Sequence, residues 1–321
     1  MKKVLGLLFI AAALSVSCER QDIQVPSHRE AVQFSTSVGT KTSYQGTVTG
    51  DKEAILWNDG ELFTVSCAQA VFSSDDKKTA DYKVTAPEGV ATAVNPNTPD
   101  DEIQWGEGSH TFYAAYPAGK LDGNTLSGTI ANTQNLTEGS DGVYPPLLSS
   151  NGYMVATATA SPSASKVNLA FKPMFTTLEF IVGPGSSTDV EISDITVKSN
   201  SALAGTFSVA IAESDPQITL PTTDGANIIS VKLGSGSVTV EKNKTITFSV
   251  VALPKDLTNI DVQFKVGTKT ITLPLKNSEG YITFAARKKS IIRALTVLGP
   301  EAENLGITTV ITDQDVDEYN I

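Results

Sequence analysis

Ile260-Asp261-Val262-Gln263-Phe264-Lys265-Val266-Gly267-Thr268-Lys269-Thr270-Ile271-Thr272-Leu273-Pro274-Leu275 alternates apolar and polar residues on both sides of a glycine. Successive side chains of a strand point to opposite faces, so this period of two gathers Ile260, Val262, Phe264 and Val266 on one face. Val266-Gly267-Thr268 supplies the turn, and the stretch predicts a tight β-hairpin.

Moving outward from this hairpin, the same period recurs at Thr245–Leu253, Ile228–Leu233, Ile192–Lys198, Leu178–Val182 and Val167–Phe171. It recurs again at Tyr153–Ala160, His110–Tyr116, Leu62–Ala70 and Ala31–Val38. Turn signals separate these segments, among them Asn58-Asp59-Gly60, Asp122-Gly123-Asn124, Gly183-Pro184-Gly185 and Asp224-Gly225. No stretch shows the period of an amphipathic helix of normal length. Short strands at this spacing predict an all-β fold, sandwich or barrel. A small-residue stretch, Ser161-Pro162-Ser163-Ala164-Ser165, falls near the middle of the chain. It places a boundary near residue 160 between an N-terminal domain, 31–160, and a C-terminal domain, 161–321.

Charged residues make up 18% of the chain, below the ~25% usual for globular domains. Thr, Ser, Gly and Asn take their place, which favours strands and turns. The formal net charge is −11. An acidic surface argues against nucleic acid and anionic headgroups as partners.

The first 17 residues read as a signal peptide: Lys2 and Lys3, an apolar stretch from Val4 to Leu14, then the small residues Ser15-Val16-Ser17 before Cys18. The apolar stretch is too short to span a bilayer, which takes ~20 residues. The arrangement resembles a bacterial lipobox, with Ser15 where an aliphatic residue is usual. It implies that Cys18 is acylated, that 18–30 is a lipidated leader, and that the chain is held at an outer membrane by its acyl chains. The remaining cysteine, Cys67, lies on the same alternating face as Phe63 and Val65 and reads as a small buried hydrophobe.

A catalytic set is hard to assemble. The histidines are His28, in the polar leader, and His110, at the start of a strand. No His/Cys/Asp cluster has metal-ligand spacing, no glycine-rich phosphate loop joins a strand to a helix, and no nucleophile elbow occurs. The carboxylate runs Asp75-Asp76, Asp100-Asp101-Glu102 and Asp313–Glu318 sit in polar, loop-like contexts and read as solvated surface. The expectation is no enzyme, no cofactor and no metal. Trp57, at a strand end, reads as a core aromatic. Trp105, in Gln104-Trp105-Gly106-Glu107-Gly108, is the better candidate for stacking on a sugar ring.

Several patterns together resemble the fimbrillin family of Bacteroidetes, the type V pilins. They are Val32-Gln33-Phe34-Ser35-Thr36 followed by Lys41-Thr42; Trp57-Asn58-Asp59-Gly60-Glu61-Leu62-Phe63-Thr64-Val65; Phe112-Tyr113-Ala114-Ala115-Tyr116-Pro117; Tyr153-Met154-Val155-Ala156; Phe171-Lys172-Pro173-Met174-Phe175-Thr176-Thr177-Leu178-Glu179-Phe180; and Ala252-Leu253-Pro254. The resemblance implies two tandem transthyretin-like β-sandwich domains. It further implies a fimbrial subunit, delivered to the surface as a lipoprotein, that supports cell adhesion and has other fimbrial subunits as partners. In such a protein a trypsin-like protease removes the first strand, and the C-terminal strand of a neighbour fills the groove. Carried onto this chain, Ala31–Val38 is the plug strand, with Val32, Phe34 and Thr36 on one face. Lys41 occupies the cleavage position, where the family often has arginine; Arg29 and Arg20 are the alternatives. The donor strand lies near 306–321, with Ile307, Thr309 and Ile311 alternating. The rival reading is a surface glycan-binding lipoprotein, which calls for exposed aromatic platforms instead of a groove.

Overall fold

The structure is a computed structural model, and it describes residues 30–36, 43–49, 52–71, 79–86, 90–94, 102–185, 188–212, 215–220, 225–297 and 316–320. Strands dominate it; the α-helix among the described residues is Leu148–Asn151, of 4 residues. No helix among them is long and apolar enough to cross a membrane.

The opening hairpin forms as its alternation requires. Asp261–Val266 pairs antiparallel with Lys269–Pro274 in the register Val266↔Lys269, closed by Gly267 at φ +58. A glycine at the first turn position adopts that sign of φ without steric cost, and the turn twist then matches the strands. Val262, Phe264, Val266, Ile271 and Leu273 are all buried.

An 8-stranded sheet runs in the order Val167–Leu169, Phe34–Thr36, Val90–Ala93, Thr79–Thr85, Leu62–Ser66, His110–Tyr116, Met154–Ala160, Lys172–Pro173. Its two outermost strands follow each other in the chain, separated by Ala170 and Phe171. The sheet must therefore curl until its edges nearly meet, which shields both from outside partners. Inside the curl lie Phe34, Phe63, Tyr82, Phe112, Trp57 and Phe171, joined by edge-on and stacked ring contacts.

Three further sheets complete the main architecture. A 5-stranded sheet has the order Thr133–Leu136, Ile228–Leu233, Asp194–Lys198, Asp261–Val266, Lys269–Pro274. A 7-stranded sheet has the order Val143–Tyr144, Ile246–Ala252, Thr176–Pro184, Lys288–Val297, Val316–Asn320, Lys52–Leu56, Ser43–Thr49. A 4-stranded sheet joins Gln217–Thr219 and Gly205–Ala210 to Thr125–Ile130 and Leu121–Asp122. Strands from either side of residue 160 thus share sheets. The linker Ser161–Ser165 itself joins two strands of the curled sheet, Met154–Ala160 and Val167–Leu169.

Candidate functional site

The segment 30–36 is seated between strands that are distant in sequence. Phe34–Thr36 pairs parallel with Val167–Leu169, in the register Phe34↔Val167 and Thr36↔Leu169, and antiparallel with Val90 and Ala91. Upstream of the strand, the Val32 N–H donates to the Ile103 carbonyl at 2.8 Å, and the Trp105 N–H donates to the Glu30 carbonyl at 3.0 Å. The Val167 N–H donates to the Gln33 carbonyl at 2.8 Å. Side chains alternate as a half-buried strand requires: Val32, Phe34 and Thr36 are 1%, 1% and 3% exposed, while Gln33 faces solvent. The Phe34 ring meets Tyr82 at 4.9 Å and Phe112 at 5.3 Å, both edge-on, an arrangement that aromatic quadrupoles favour.

Three predicted side chains, Val32, Phe34 and Thr36, are thus brought onto one buried face. Cys18, Arg20, Arg29 and Lys41 lie outside the described residues, as do Ile307, Thr309 and Ile311. Of the C-terminal segment, Val316–Asn320 is described. It pairs antiparallel with Lys288–Ile292 in its own chain, from Lys288↔Asn320 to Ile292↔Val316, and touches the Lys52–Leu56 strand through Asn320↔Lys52.

The aromatic candidates resolve differently from one another. Trp57 is buried against Phe63, Tyr116 and Phe171, the core position expected of it. Trp105 is buried as well, at 6% exposure, edge-on to His110 and Phe112, so it offers no platform to a sugar. Its loop is drawn inward by His110: the Gly106 N–H donates to Nε2 at 2.8 Å, while Nδ1 lies 3.1 Å from the Gly108 carbonyl. Only glycine fits at 106, because a Cβ there would stand 2.3 Å from the Gln69 carbonyl oxygen. Cys67 is fully buried, and burial pushes its thiol above the usual range. No group of three or more metal-ligating side chains occurs among the described residues.

One buried polar cluster has no signature in the local sequence pattern. Lys289 is 4% exposed and pairs with Glu179, Nζ to Oε2 at 2.9 Å, across adjacent parallel strands. The Ser249 hydroxyl donates to the same carboxylate oxygen at 3.2 Å. Tyr44 covers the pair: its ring lies 4.4 Å from the Lys289 ammonium, and its hydroxyl donates to Thr177 Oγ1 at 2.7 Å. Glu179 lies in a strand whose apolar neighbours carry a visible period of two and Lys289 in one that shows none, and nothing in the local pattern pairs them.

A chain whose described residues are nearly all strands, with the short strand Phe34–Thr36 held between two others in one sheet, falls in the class of all-β proteins. It belongs to the fimbrillin-like family, whose model matches residues 35–313. Among solved structures, a Bacteroides ovatus protein described as a candidate cell adhesion protein superposes with a TM-score of 0.57 at 14% identity, covering 92% of this chain and 99% of that one. A second, from Bacteroides uniformis and described in the same words, gives 0.52 at 14% identity, covering 91% and 96%. Both are likenesses of fold. No curated protein matches the chain.

Proposed function

We propose that this chain is a structural subunit of a surface fimbrium, exported as a lipoprotein through Cys18, and polymerised by strand exchange after a protease cuts behind the first strand. Other fimbrial subunits are its partners, the outer membrane is its anchorage before assembly, and cell adhesion is the role of the polymer. The observation that carries this reading is the seat of Glu30–Thr36. The segment lies between Val90–Ala93 and Val167–Leu169 with three side chains buried. Withdrawing it would leave a strand-wide slot with unpaired backbone on both sides and the pockets of Val32, Phe34 and Thr36 open.

Such a slot selects an extended segment with alternating side chains. Ladder hydrogen bonds contribute about 1 kcal/mol each. Buried apolar side chains contribute about 1.5–3 kcal/mol each. While the plug is covalently attached, it competes at high effective concentration, and an incoming strand is excluded. A cut after Lys41 removes that advantage, whereas a cut after Arg29, upstream of the strand, would leave it attached. Ile307, Thr309 and Ile311 then have the alternation that the vacated pockets require.

Mass spectrometry of the protein taken from its native surface tests this directly. The expected species are an acylated chain beginning at Cys18 before assembly and a chain beginning at Thr42 within polymers. A polymer built from chains that still carry residues 30–36 overturns the reading.

A further inference from the structure

The segment after residue 42 is anchored differently from the one before residue 37. Ser43–Thr49 and Lys52–Leu56 form an antiparallel hairpin with an irregularity between Tyr44 and Val48. Among the described residues its backbone joins the rest of the 7-stranded sheet through the pair Asn320↔Lys52. That contact belongs to the tail strand, which leaves if the tail is donated. Apart from the buried Ile55, the hairpin's described side-chain anchor is Tyr44, which spans to Thr177 and Lys289 on two strands of that sheet. Tyr44↔Ile55 pairing puts the ring on the same face as Ile55, which is 2% exposed.

Lys52 is itself a basic residue, the next one after Lys41 in the chain. A protease that cuts after basic residues therefore meets two candidate bonds in succession. Proteases need a local stretch of unpaired, extended backbone, so cleavage within a paired strand follows the population of its open state. The ring over a buried ammonium and the hydroxyl bond to Thr177 together oppose that opening.

We infer that Tyr44 is a latch: seated on the Lys289–Glu179 pair, it keeps the hairpin closed over Lys52 and so sets where trimming by the plug-removing protease stops. Tyr44 is a positioning residue here, not a participant in the cleavage. The inference rests on the strand-exchange reading for its protease, but its test does not depend on the bond after Lys41 being the one cut.

The experiment digests the full mature chain with a trypsin-like protease under native conditions and follows the new N-termini by mass over time. The unsubstituted chain is expected to accumulate a species beginning at Thr42 and to persist there. Tyr44→Ala is expected to go on to a species beginning at Glu53, with the cut after Lys52 faster by about tenfold or more. Tyr44→Phe keeps the ring over Lys289 and loses the hydroxyl, and it is expected to fall between the two. Amide exchange over Thr79–Ala93 serves as the control that the curled sheet is intact. If Tyr44→Ala resists cleavage after Lys52 as well as the unsubstituted chain does, the latch is wrong. It is equally wrong if the unsubstituted chain is cut after Lys52 as fast as after Lys41. Should no Thr42 species form while Tyr44→Ala still gains the cut after Lys52, the latch stands and the Lys41 cleavage position falls.

Discussion

Lys289 carries a charge where solvent reaches little of it, and its position is tenable because Glu179 supplies the counter-charge and Ser249 a further hydrogen bond. Desolvating both ions is costly, so removing one partner hurts more than replacing both. Glu179→Leu alone, which strands the ammonium, should destabilise the protein by about 3–5 kcal/mol. The double substitution Glu179→Leu/Lys289→Met should recover most of that loss. Chemical denaturation of the two variants checks the ordering, and a double variant weaker than the single would contradict it. At this scale the sequence was legible only in part. Cys67, Phe63 and Val65 share a period-two face and are indeed buried together. Trp57 is the core aromatic its strand-end position suggests, but Trp105, whose loop suggests an exposed sugar platform, is buried as well, because His110 holds that loop by both ring nitrogens. That contact has no signature in local pattern.

Among the elements, several strands that are buried on one face were legible, while Thr79–Thr85 and Thr125–Ile130, buried in the same way, place a small residue, Ala80 or Gly128, on that face and do not stand out. His110–Tyr116 and Ile228–Leu233 begin and end where alternation places them. Lys288–Val297 was missed: it is a central strand with Ser290, Ile291, Ile292 and Leu295 all buried, and a strand covered on both faces loses the period of two. Very short strands such as Val143–Tyr144 and Lys172–Pro173 are too brief to show any period. The strand Phe34–Thr36 was visible through Val32, Phe34 and Thr36, and its neighbour Val167–Leu169 through the alternation of Val167–Phe171, whereas the pairing of the two, and with Val90–Ala93, is a product of tertiary folding. Phe34 is the element's main anchor, edge-on to two rings. Phe34→Ala should cost about 3–5 kcal/mol in the intact chain. If the strand is a removable plug, the same change should also quicken its exchange for an added peptide of the tail sequence 306–321. Thermal unfolding measures the first effect and peptide capture the second; a chain destabilised without faster capture would argue that 30–36 is a fixed part of the sheet.

For the whole molecule, the sheets tie distant parts of the chain together. Thr133–Leu136 and Val143–Tyr144 pair parallel with Ile228–Leu233 and Ile246–Ala252, across the small-residue linker that the sequence alone marks as a boundary. Composition reveals where a chain is flexible, but which strands pair is decided by long-range packing, so the linker's place inside one sheet was not readable. The curl of the 8-stranded sheet has a mechanical consequence. Its edges are nearly closed on each other, and in the proposed strand exchange the strand replaced is the one at Glu30–Thr36. Val316–Asn320 pairs with Lys288–Ile292 in its own chain, so the proposed donation would exchange one ladder for another. The most direct measurement is a mixing experiment by analytical ultracentrifugation with protease present. Lys41→Ala should stay monomeric, with a tail to give but its plug retained. The chain lacking Ile307–Ile321 should also stay monomeric, with a vacant slot but nothing to donate. Mixed together they should form dimers and stop there. Long polymers from the tail-deleted chain alone, or no association on mixing, would contradict strand exchange between these two sites.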